Sequence, residues 1–103
     1  MRHARFTIAH LSIDGEDIPL LYADLIVAQH DNADGLDWEC VAASRRPIEL
    51  EQTRYGLRML TRQGRRLAGD VVLVRSDARG HVFRGVGPLD GFTERELEPP
   101  PTA

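Results

Sequence analysis

Arg54, Arg58 and Arg62 recur at every fourth position, and Arg65 and Arg66 follow closely, so five guanidinium groups fall within thirteen residues. A guanidinium is planar, permanently charged and matched to carboxylate and phosphate, which makes the segment a candidate stripe for binding an anion or an acidic partner. In an extended chain a spacing of four puts Arg54, Arg58 and Arg62 on one face. Such a stripe could track nucleic-acid phosphates, but a single-strand groove also uses exposed aromatics for stacking, and Tyr55 alternates onto the other face. The chain is also acidic overall, with a net charge of -3. A solvated or salt-bridged face is favoured over a nucleic-acid groove.

A second cluster, His30, Asp31, Asp34, Asp37, Glu39 and Cys40, consists of metal-ligating residue types. Placing Asp34-Gly35 at the turn of a calcium loop sets His30 at its first ligand position and Val41 where the bidentate glutamate belongs, so that motif fails. The paired Cys or His spacing of a zinc site is missing too. The cluster reads as an acidic turn between strands, with no metal and no cofactor implied. Cys40 as a nucleophile would need an electropositive neighbourhood, whereas Asp37 and Glu39 raise a thiol's pKa. It reads as a small core residue. Gly85-Val86-Gly87 lacks the third glycine and the following helix of a phosphate cradle. A small enzyme would have to draw on residues distant in sequence, His30, His81 and Asp24 being the candidates.

The elements that must position these residues are strands. Val71 to Val74 and His81 to Val86 flank Ser76-Asp77-Ala78-Arg79-Gly80, a cluster of turn formers, and predict a β-hairpin. Leu36, Trp38, Cys40 and Ala42 share one face of a half-buried strand. In the run Leu20 to Gln29, Leu21, Ala23, Leu25 and Val27 form the expected core face. Arg2 to Ile13 alternates with Phe6 and Ile8 on one face but Leu11 and Ile13 on the other, the phase change that a bulge near Ala9-His10 would produce. Ile48 to Arg62 admits two readings: a helix entered at Pro47, or a strand on which Tyr55, Leu57, Met59 and Thr61 alternate before a turn at Gln63-Gly64-Arg65. The helix would carry a thin apolar stripe and a glycine in mid-span, so strand is preferred.

At 103 residues with one cysteine, the chain is long enough for a single domain with its own core and cannot form an internal disulfide. Its 42% apolar and 28% charged composition suits a globular protein. No stretch has the roughly 18 consecutive apolar residues of a membrane helix, and the N-terminus lacks a signal-peptide core, so a cytoplasmic protein is expected. All thirteen basic residues are arginine. Between Phe6 and Ser44 stand eight acids and no arginine, whereas Arg45 to Arg84 holds ten arginines and four acids. If the two halves form opposite faces, the molecule is electrostatically complementary to its own copy.

These features predict an all-β fold: a small antiparallel barrel or sandwich of six to seven strands in largely meander order, spanning residues 1–92, with a flexible Pro- and Glu-rich tail over 93–103. The expected function is non-catalytic binding or assembly through protein contacts, with a homo-oligomer preferred. The alternatives are a nucleic-acid or anionic-ligand binder using Arg54, Arg58, Arg62, Arg65 and Arg66, and, third, the small enzyme.

Overall fold

The computed structural model describes residues 2–29 and 35–97. They form an all-β protein whose first strand, β1 (Arg2–Ile13), serves two partners. Its N-terminal half pairs with β3 (Leu20–Gln29), from Arg2↔Gln29 to Thr7↔Asp24. Its C-terminal half pairs with β5 (Arg54–Thr61), from Ile8↔Thr61 to Ile13↔Leu57. Between Ile8 and His10 the register shifts by the one extra residue, Ala9, as the phase change predicts. Ile8, Leu11 and Ile13 are consequently all buried.

With β4 (Asp37–Ser44), β6 (Arg66–Ser76) and β7 (Gly80–Gly85), the order β1-β3-β4-β7-β6-β5 returns to β1 and closes a six-stranded antiparallel barrel. A three-residue strand, β2 (Glu16–Ile18), lies alongside the end of β1. Each half of the chain is a meander, β1-β3-β4 and β5-β6-β7, and the halves meet at β4–β7 and β1–β5. The acidic half and the arginine-rich half thus form opposite walls. Alternation sends Ala23, Leu25, Val27, Cys40, Leu57, Met59, Leu67, Val71 and Phe83 inward. A buried Leu or Val contributes about 1.5–3 kcal/mol relative to exposure, so a one-residue slip that turned a strand inside out would cost several kcal/mol. Register is therefore firmly specified.

Three expectations need correction. Leu21 is 65% exposed, because a register shift between Leu20 and Tyr22 against β4 turns it out of the core face that Ala23, Leu25 and Val27 do form. Ile48 to Thr53 is neither helix nor strand but a loop over one barrel end, tied by Ile48 N–H to Ala78 O (2.9 Å) and Leu73 N–H to Thr53 O (3.0 Å). The flexible tail does not begin at residue 93: Thr93 caps a 3-10 turn, Glu94–Glu96, and Leu97 is buried in the core cluster. Residues 98–103 lie outside the described residues.

The other barrel end is closed by Trp38. Its indole lies against Gly85 on β7 and Gly69 on β6, and its Nε1 donates to Gly87 O at 2.9 Å. A Cβ on Gly69 would stand 2.5 Å from the indole Cζ2 and 2.8 Å from Pro88 O, and one on Gly85 would overlap the ring. Both positions need the missing side chain. Gly85→Ala is expected to lower stability by about 1–3 kcal/mol through overpacking and Trp38→Ala by about 3–5 kcal/mol, read from urea unfolding. Native tryptophan emission should be blue-shifted, and the shift should diminish in Gly85→Ala.

Candidate functional site

On β5 the inward positions Leu57, Met59 and Thr61 leave Arg54, Arg58 and Arg62 outward and exposed, as their spacing predicts. Tertiary contacts then divide the five arginines. Arg54 stands 3.9 Å from Asp70, both well exposed, a pair of the kind that contributes about 0–1 kcal/mol. Arg65 holds the C-terminal segment: its guanidinium donates to Gly91 O and pairs with Glu96, and it lies 5.6 Å from the Phe6 ring centroid and 5.9 Å from that of Phe92. Arg65 is structural. Arg58, Arg62 and Arg66 have no ion-pair partner among the described residues.

The register places these three around one outward residue. Leu60 is flanked by Arg58 on β5 and by Arg62 just past its end, across on β6 by Arg66 and across on β1 by His10. Directly opposed residues in an antiparallel pair have Cβ atoms about 4.5–5.5 Å apart, so the group is compact. Beside it Ser12, Arg58 and Ala68 form the next cross-strand row. His10, Ser12, Arg58, Leu60, Arg66 and Ala68 line an open cleft of about 440 Å³, bordered by Asp17 and Asp90. The sequence reading missed His10, although its signal was present: the bulge at Ala9 is what turns His10 outward.

A second surface lies across β3, β4, β7 and β6. Val41 and Val82 oppose one another at its centre, Ile26 and Tyr22 stand on β3, and Val72 and Val74 on β6. Tyr22 is 53% exposed, and Ile26 and Val74 each 39%. Asp24 and Arg75 stand at the two ends of the Val41–Val82 row, and in the next row Glu39 and Arg84 oppose one another between Ile26 and Val72.

The residues proposed for an enzyme do not come together. Asp24 faces outward and bonds Arg5 at 3.3 Å, whereas His81 points into the barrel and is only 2% exposed. His30 lies outside the described residues, as do Asp31 and Asp34. Among the described residues no group of three or more His, Cys, Asp or Glu could hold a metal ion. His81 Nδ1 lies 2.7 Å from Ser76 Oγ, and its buried Nε2 has no hydrogen-bond partner. Burial pushes the His81 pKa down, opposed by the Asp77 carboxylate. Asp77 is itself held below the usual carboxylate range by backbone N–H donors, first Gly80 and then Arg79. The Cys40 thiol is pushed up to about 12, first by burial and then by Asp24 and Glu39, which leaves it inert at neutral pH.

The described residues form a closed six-stranded antiparallel barrel with an outward cleft at Arg58 and Arg66 and a mixed apolar and charged face across β3, β4, β7 and β6. No family model, curated protein or solved structure matches the chain. No helix among the described residues is long and apolar enough to cross a membrane.

Because unfolded His81 binds a proton near pH 6.5 and the buried ring resists it, stability should fall as pH drops through 6.5 and level off below the depressed folded-state pKa. Urea midpoints between pH 7.5 and about 5 check this, and His81→Leu should flatten the slope. Cys40 should react with a thiol reagent only when the protein is unfolded.

Proposed function

We propose that this protein is a non-catalytic assembly module that pairs with a second copy of itself through the outer face of β3, β4, β7 and β6. The observation that carries the reading is a pair of adjacent cross-strand rows, Asp24-Val41-Val82-Arg75 and Ile26-Glu39-Arg84-Val72, in which valines and an isoleucine alternate with acids on the β3–β4 side and arginines on the β7–β6 side. A two-fold axis running along the strands between β4 and β7 would lay β3 of one copy over β6 of the other. Asp24 and Glu39 would then face Arg75 and Arg84 in both directions, the isologous arrangement a symmetric dimer requires. Exposed ion pairs contribute about 0–1 kcal/mol each, so the apolar residues would supply most of the affinity while charge sets orientation and encounter rate.

Sedimentation of the purified chain over a concentration and salt series tests the proposal. A dimer is expected at low salt, weakened but retained near 0.5 M, where the screening length falls to a few ångströms. Val82→Glu should be monomeric with an unchanged far-UV spectrum. A monomer at every salt and concentration, or a dimer indifferent to Val82→Glu, overturns the proposal. A stable complex with a different protein through the same face, from a chain that never pairs with itself, would also replace it.

A further inference from the structure

We infer that the cleft on the outer face of β1, β5 and β6, remote from the self-pairing face, binds a compact phosphate-bearing small molecule. Leu60 on β5 has His10 directly across on β1 and Arg66 directly across on β6, with Arg58 two residues before it on the same face. Three nitrogen-bearing side chains therefore border one apolar floor residue, and His10, Arg58, Leu60 and Arg66 all line the same cleft of about 440 Å³. That volume is within the roughly 300–1,000 Å³ common for small-molecule sites.

Arg58 and Arg66 have no ion-pair partner among the described residues, so neither must give up a protein carboxylate to take a ligand. Two forked guanidinium donors flanking one point suit a dianionic phosphate, which offers several acceptor oxygens at once, better than a single carboxylate. Leu60 and Ala68 supply an apolar surface for an organic body attached to it.

The borders of the cleft decide between ligand sizes. Asp17 lies beyond Ser12 on β2, and Asp90 bridges to Ala68 on the other side, so carboxylates stand at both ends of the row that contains Arg58. A polyanion running across the strands would meet both. Tyr55 offers no stacking platform, since it packs edge-on against Phe83 and its hydroxyl donates to Glu51 O at 2.6 Å, which leaves His10 as the single aromatic ring among the described residues that line the cleft. A nucleic-acid strand is thus disfavoured and a compact anion retained.

Titration of the ¹⁵N-labelled full chain with inorganic phosphate, phenyl phosphate and a single-stranded oligonucleotide, at constant ionic strength, tests this through the arginine Nε–H and backbone resonances. Saturable shifts confined to His10, Ser12, Arg58, Leu60, Arg66 and Ala68 are expected with phenyl phosphate. Tighter binding of phenyl phosphate than of inorganic phosphate would assign the organic body to the apolar floor, and equal binding would assign free phosphate as the ligand. Arg58→Gln and Arg66→Gln, both at exposed positions, should each raise Kd by about tenfold, the loss of one charge-assisted contact, while Arg54→Gln leaves it unchanged. Val82→Glu should bind as the parent does, which separates this site from the pairing face. Shifts that never saturate, or that survive both arginine substitutions, overturn the inference. So does binding of the oligonucleotide without either phosphate.

Discussion

Everything in this molecule depends on β1 bending once. A barrel of six strands closes only if the first strand can pair with neighbours on both sides, and a straight strand of constant phase would show Leu11 and Ile13 to solvent wherever it buried Ile8. The single extra residue at Ala9 resolves the conflict, because it lets Ile8, Leu11 and Ile13 all enter the core while β1 passes from β3 to β5. Closure removes the long unpaired edges that would otherwise template aggregation, and leaves as an added strand the short β2, which carries Glu16 and Asp17. The same bulge reorients His10, so one device both completes the core and populates the cleft.

The two barrel ends meet different demands. At one, a large aromatic side chain lies flat over two neighbouring strands, and glycines at 69 and 85 provide the clearance while the indole N–H finds Gly87 O. At the other, Ser44 and Ser76 satisfy themselves locally, Ser44 Oγ donating to Arg46 O at 2.5 Å, but His81 is left with a bare Nε2 in the interior. An unpartnered buried nitrogen costs about 1–3 kcal/mol, and charging it costs more, so the interior resists acid at this end. The C-terminal segment adds a third tie, in which Arg65 joins Phe6, Phe92 and Glu96 and brings Leu97 onto the core.

Charge order gains meaning from this topology. Because each half of the chain is its own meander, the acids before Ser44 and the arginines after it occupy opposite walls and are not interleaved by pairing. Across the β4–β7 seam Glu39 opposes Arg84, whereas across the β1–β5 seam Arg58 faces the neutral Ser12. Within the walls Arg5 pairs with Asp24 and Arg54 with Asp70, so each wall keeps an excess, not a monopoly, of one sign, which still favours attraction between copies of one chain.

Much of the fold was legible because strand alternation is a local property with a period of two. The hairpin of β6 and β7, the inward face of Trp38 and Cys40, the outward arginines of β5 and the bulge at Ala9 all followed from neighbours within a few residues. What escaped was set by partners distant in sequence. Leu21 turns outward because β3 shifts register against β4, Leu97 is buried although its own neighbours are charged, and Asp24 and His81 part because Asp24 faces out from β3 while His81 faces into the barrel from β7. The sequence by itself determined which residue types line each face. Only the tertiary structure decided which arginines were consumed, giving Arg65 to Glu96 and Arg54 to Asp70 while leaving Arg58, Arg62 and Arg66 around Leu60. Periodicity orients a side chain relative to its own strand, whereas its partner is chosen by the register between strands, which exists only once the barrel has closed.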